Sequence, residues 1–156
     1  MDGVQTELMA TPRGSKDIKR DVKRYFRQDF QRLVLLSGKK LSALRSPQYD
    51  GMPKAPGVNG DFDSDLSKQA DQQVIVDCTM EALNNITNIS CAIIWHSLVM
   101  DEREVKVRRV IHYQHTRYSE RKTAAMTEFY YAFVGRLAKR GISAPNLNFD
   151  DFLEWN

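Results

Sequence analysis

Cysteine is almost missing from this chain, with only Cys78 and Cys91 among 156 residues. Two thiols cannot build the disulfide framework of a small secreted domain. Residues 1–15 are polar and glycine-containing rather than basic and then apolar, so the expected location is a reducing cytoplasm. Long apolar runs are lacking too. Phe129 to Val134 holds six residues and Cys91 to Trp95 five, against the roughly 20 that cross a bilayer, so no membrane partner is expected. No alternating apolar–polar run of strand length occurs, and no internal repeat. Neither sign of charge is scarce: 23 Lys and Arg stand against 20 Asp and Glu, a net charge of +3. A chain that is 42% apolar and 28% charged has the profile of a globular protein, one domain or two small units joined by a linker.

The motifs of catalysis are also missing. There is no glycine-rich phosphate loop, no Gly-x-Ser-x-Gly and no His-Glu-x-x-His, so neither an enzyme nor a cofactor is expected. Metal ligation has little to work with. Cys78 and Cys91 are thirteen residues apart, too far for a zinc-finger pair, and read as small core residues. His112 and His115 stand alone, His115 reading as a turn residue or phosphate contact. Asp61, Asp63 and Asp65 alternate like the start of a calcium loop, but Leu66 and Gln72 occupy the positions that need Gly and Glu. Capping and solvation account for them, and no metal is expected.

What is present is a charge pattern. Arg13 to Arg45 carries 11 basic and 3 acidic residues, a block of +8. Asp50 to Glu104 carries 3 basic and 10 acidic, or −7, and Lys106 to Arg140 carries 9 basic and 2 acidic, or +7. Basic clusters of this kind suit a polyanion, because they neutralise phosphates.

The apolar spacing predicts an all-α fold. Val22, Phe26, Phe30, Leu33 and Leu36 form one face of a helix over Asp17 to Leu36, with Gly38 placed to stop it. Lys16, Lys19, Arg20, Lys23, Arg24, Arg27 and Arg32 surround that stripe. From Gly38 to Asp65, Pro47, Pro53, Pro56, Gly51, Gly57 and Gly60 argue for turns and extended chain. This reads as a linker that packs along a surface through Leu41, Leu44, Tyr49 and Met52. A helix from Ser64 or Asp65 to about Asn85 follows, with Leu66, Ala70, Val74, Cys78 (or Ile75) and Leu83 on one face and Asp71, Asp77 and Glu81 on its polar side. Thr87 to Ser90 offers a new cap. Ile93, Ile94, Trp95, Leu98 and Val99 make a short apolar helix. Asp101 to Tyr113 makes another, carrying Val105, Val107, Val110 and Ile111. Ser119 is the expected cap of a last helix reaching Lys139, before Gly141. The expected organisation is residues 1–37 as tail and basic amphipathic helix, 38–63 as Pro/Gly-rich linker, 64–140 as helical domain, and 141–156 as an acidic, aromatic tail. In that tail Phe149, Phe152, Leu153 and Trp155 would dock on this chain, a second copy or another protein.

Val105 to Phe133 has the pattern of a helix-turn-helix. Ala125, Met126, Phe129, Phe133 and Leu137 would face the interior. Glu120, Arg121, Thr123, Ala124, Thr127, Glu128 and Tyr131 would face out. The short and hydrogen-bonding residues of the first two turns suit entry into the roughly 12 Å major groove. Arg121 would reach guanine, Thr123 and Thr127 would meet thymine methyls or phosphates, and Ser119 a phosphate. Lys106, Arg108, Arg109 and Arg117 would contact the backbone. The helix carrying Lys16, Lys19, Arg20, Lys23, Arg24 and Arg27 is a second basic element. It would either contact DNA or fold back on the acidic block.

Ser46-Pro47-Gln48-Tyr49-Asp50-Gly51-Met52-Pro53-Lys54, with Pro56 and Asn59 after it, closely resembles a motif of the ArpU family of phage and prophage transcriptional regulators. Tyr118-Ser119-Glu120, with Lys122, Ala125 and Phe129, resembles that family's second helix. The resemblance covers about Ile18 to Leu137, and the chain departs from the family pattern in the more basic stretch Val105 to His112. It implies a helical domain similar to the promoter-reading C-terminal domain of sigma factors, acting in a bacterial host cell as a phage-encoded regulator, an activator of late lysis or packaging genes. Its DNA-reading positions would be Arg117, Tyr118, Ser119, Glu120, Arg121, Lys122, Thr123 and Thr127. Double-stranded promoter or operator DNA is the expected partner, with bacterial RNA polymerase and a second copy of the chain as further candidates. Two alternatives stand beside this reading: a packaging protein of the small-terminase kind, and an RNA-polymerase adaptor with no DNA contact of its own.

Overall fold

Four basic residues at positions 16, 19, 23 and 27 and four apolar ones at 18, 22, 26 and 30 give the first helix two distinct faces. In a computed structural model of the protein, which describes residues 14–38 and 64–153, this stretch is helical throughout. The helix α1 spans Ser15–Arg24, a wider π turn covers Tyr25–Asp29, and α2 continues over Phe30–Leu36. At the wide turn the Phe30 amide donates to the Tyr25 carbonyl five residues back. The extra residue shifts the helical phase, so Tyr25 and Phe26 are both fully buried although they are adjacent. Ser37 and Gly38 end the helix, with Gly38 at φ +90°, a left-handed turn that a residue without Cβ adopts cheaply.

The helix α3 spans Ser64–Asn85, α4 spans Asn88–Ile94, and a second π turn covers Trp95–Val99. The helix α5 spans Glu104–Ile111, α6 spans His115–Lys139 and α7 spans Asp150–Leu153. All regular structure among the described residues is helical. The linker motif Ser46 to Lys54, with Leu41, Leu44, Pro56, Asn59, Asp61 and Asp63, lies outside the described residues, as does Trp155.

Aromatic rings join the elements. Phe26 lies 4.9 Å from Phe129 of α6, centroid to centroid, and Tyr25 lies 5.1 Å from Phe133. Phe149 of the C-terminal segment is fully buried, 5.4 Å from Tyr25. The basic helix, the bundle and the tail therefore share one core, and the boundaries drawn from composition do not separate cores. Burying each such ring contributes about 1.5–3 kcal/mol. The tail docks on this chain itself: Leu147 and Leu153 are buried with Phe149, and Arg24 donates 2.8 Å to the Asn146 carbonyl.

Three expectations are corrected. On α3 the expected Ile75, Cys78 and Leu83 are buried, but Ala70 is exposed and Val74 half-buried, and Gln72, Val76, Thr79 and Ala82 complete the inner face. The short helix α5 starts at Glu104 rather than Asp101, which sits at φ +53°, and of its valines only Val107 is buried; Val105 and Val110 are half exposed. The last helix opens at His115, four residues before Ser119.

Candidate nucleic-acid interface

The junction of α5 and α6 is a three-residue turn. His112 closes α5 in the left-handed region, φ 62° and ψ 41°, a conformation where glycine is common and histidine tolerated. Gln114 is extended ahead of α6 and makes no side-chain cap. Side chains brace the turn instead. Arg108 donates 3.3 Å to the Tyr113 carbonyl and pairs at 3.5 Å with Glu104. Glu104 also meets the ring Nδ1 of His115. The Arg117 guanidinium lies 4.3 Å above the Tyr113 ring, a cation–π contact.

The early helix start moves the expected contacts. Ser119 is in the second turn and caps nothing; its carbonyl accepts from Thr123 at 3.3 Å. Thr127 likewise donates 3.2 Å to the Thr123 carbonyl, so both threonine protons are spent on the helix itself. Arg121 turns toward the start of α4, donating 2.8 Å to the Thr87 hydroxyl and lying 3.8 Å from Glu128. Tyr118 is buried, at 2% exposure, and burial pushes its phenol above the usual tyrosine range. It is a support, and its ring carries the Lys122 ammonium at 5.8 Å. Glu120 is exposed. At the head of α6, His115, Thr116 and Arg117 are exposed.

The basic residues of α1 divide by partner. Arg20 pairs with Asp17 at 3.4 Å and with buried Asp21 at 3.3 Å. Arg24 is committed to the tail carbonyls. Lys19 and Lys23 instead meet Lys122 and Ser119 of α6 across a cleft of about 150 Å³, with Tyr118, Thr123 and Glu104 completing its walls. Burial holds the Lys122 ammonium below the ordinary lysine range, and the positive charges of Lys23, Arg27 and Lys19 add to the effect. Burial does the same to Lys23, together with Lys19 and Arg27. Lys16 and Arg27 are exposed further along the helix.

On α5, Lys106 and Arg109 are exposed. Arg109 lines a wide, shallow second cleft of about 520 Å³ with Arg108, His112 and Val105. At the far end of α6 two cations share one carboxylate: Arg140 meets Glu81 at 3.0 Å and Arg136 meets it at 3.7 Å.

Sequence reasoning missed that Lys19 and Lys23 share a cleft with Lys122, and that Thr116 stands exposed in the first turn of α6. The early start of α6 did leave a signal, since Ser119 is followed three residues on by Lys122 rather than by the Glu or Gln of a capping box. The convergence of α1 and α6 left none.

Among the described residues no group of three or more His, Cys, Asp or Glu side chains could hold a metal, and no helix is long and apolar enough to cross a membrane. Cys78 and Cys91 are buried, and burial raises both thiols above the usual range, which keeps them protonated and unreactive. The chain matches no family model, no curated protein and no solved structure.

Proposed function

We propose that this protein is a sequence-specific DNA-binding regulator of transcription, with α5, the His112–Gln114 turn and α6 forming a helix-turn-helix whose second helix enters the major groove. The observation that carries the reading is the shared basic face on which Lys19 and Lys23 of α1 stand beside Lys122 and Ser119 of α6. A duplex presents one negative charge per about 1.7 Å of its axis, and lysines grouped on adjoining helices offer several cations to such a row of phosphates. Base reading passes to the exposed first turn, His115, Thr116 and Arg117, because Arg121 is held by Thr87 and Glu128. Lys106 and Arg109 of α5 then supply backbone contacts. The resemblance of the Ser46 to Lys54 motif to ArpU regulators supports a phage-encoded activator of late genes, working in the cytoplasm of the bacterial host.

Fluorescence anisotropy of the whole protein on phage promoter fragments and on scrambled duplexes tests this, across about 50–300 mM salt. A preference of roughly 10³-fold or more for one fragment, with a steep salt slope, is expected. Equal binding to every duplex removes sequence specificity and favours a packaging role. No binding at low salt overturns the reading.

A further inference from the structure

We propose that the cleft between α1 and α6 is a phosphate site, in which Lys19, Lys23, Lys122 and the Ser119 hydroxyl take one phosphate group. On the reading above, which supplies the source, that group is a phosphodiester of the bound duplex.

Size is the first argument. A cleft of about 150 Å³ is well above what a single water needs and leaves space for an anion of phosphate size.

Charge is the second. Several of the arginines stand next to carboxylates. Arg20 has Asp17 and Asp21, Arg121 has Glu128, and Arg136 and Arg140 share Glu81. The three lysines of the cleft form no ion pair among the described residues. The single carboxylate in the wall, Glu104, is engaged by Arg108 and His115. Folding thus gathers like charges from positions about a hundred residues apart, with Glu104, already shared with Arg108 and His115, the one carboxylate beside them. Partial burial, with repulsion from the neighbouring cations added, depresses the ammoniums of Lys23 and Lys122. A bound anion reverses that penalty.

Position is the third. The aromatic face of Tyr118 fixes Lys122, and α1 is fixed by Phe26 against Phe129. The lysine stems therefore start from a rigid wall, which lowers the ordering cost of gripping an anion. A phosphate held here is a register contact: it would place the exposed turn of α6 along the duplex without reading a base.

The test uses the full chain and the double variant Lys23→Gln/Lys122→Gln, with Lys139→Gln at the distant end of α6 as control. Anisotropy on preferred and scrambled duplexes is read against salt. The double variant should lose about 1 unit of slope in log K against log salt, and about tenfold in affinity near 100 mM salt, equally on both duplexes. Lys139→Gln should leave the slope unchanged. The melting temperature of the double variant should not fall below the parent's, because like charges have been removed. Parent-like slopes in the double variant, or an equal loss in Lys139→Gln, overturn the site while leaving the DNA reading intact. If the parent binds no duplex, the DNA reading fails, and inorganic phosphate followed by ¹H–¹⁵N NMR judges the cleft. Saturable shifts at Ser119 and Lys122, absent in chloride of matched ionic strength and lost in the double variant, keep the site with free phosphate as its source. No such shifts overturn it.

Discussion

The hydroxyls of Tyr25 and Thr79 lie 2.7 Å apart in the interior, and a third group sets the direction of their bond. Thr79 Oγ lies 2.8 Å from the Ile75 carbonyl and donates to it. Its proton is spent, so the Tyr25 phenol is the donor, tying the first helix to α3. Tyr25→Phe removes that donor alone and should cost about 1 kcal/mol. Thr79→Val leaves a buried phenol without an acceptor and should cost up to about 3 kcal/mol. Urea unfolding of the two variants checks the order; a larger loss for Tyr25→Phe would mean that the bond runs the other way.

Asp29 is buried at the wide turn of the first helix, and its carboxyl is raised above the usual aspartate range. Burial is the leading cause and Asp150 adds to it, while Arg24 and Arg32 oppose it. The sign follows from linkage: a carboxyl raised on folding costs stability when it ionises, so the penalty is present above its folded value and absent below its unfolded one. Asp29→Asn should therefore raise the melting temperature at pH 7.5, with the gain shrinking as pH falls toward 3.5. A gain independent of pH would place the effect elsewhere.

Arg117 and Arg121 are four residues apart but differ in what holds them. Arg117 stacks on Tyr113 at the exposed head of α6, whereas Arg121 bonds Thr87. On the proposed function, Arg117→Ala should lose about 1–3 kcal/mol of discrimination between preferred and scrambled DNA. Arg121→Ala should leave that ratio nearly unchanged and lower stability by less than about 1 kcal/mol, as a surface pair does. Competition binding with both variants decides it, and the reverse ranking would return base reading to Arg121.

The tail is part of the core. Phe149 lies 5.9 Å from Phe133 and 5.4 Å from Tyr25, so Phe149→Ala should cost about 3–5 kcal/mol. Arg24→Ala, which releases the Asn146 and Leu147 carbonyls, should cost less. Chemical denaturation reads both, and a near-neutral Phe149→Ala would show that the tail is dispensable.

Legibility in the sequence followed distance along the chain. The core face of α6, Ala125, Met126, Phe129, Phe133 and Leu137, was readable because residues three and four apart must share a side of a helix, and all five are buried. The same rule failed at Tyr25, where a π turn changes the period locally, and at Val105 and Val110, where an apolar residue on a short helix found no neighbour to cover it. Ser119 looked like a cap because its residue type suits one, yet α6 begins without any side-chain cap.

Helix content, the stop at Gly38, the break at Thr87 and the two basic blocks were determined by the sequence itself. Periodicity, capping and charge are properties of neighbouring residues. Which cations remain available for a partner was decided only by the tertiary structure. Arg24 meets a carbonyl 122 residues away and Arg140 a carboxylate 59 residues away, while Lys23 and Lys122 line one cleft. Coulomb energy depends on distance in space, and no local pattern encodes which helices pack side by side.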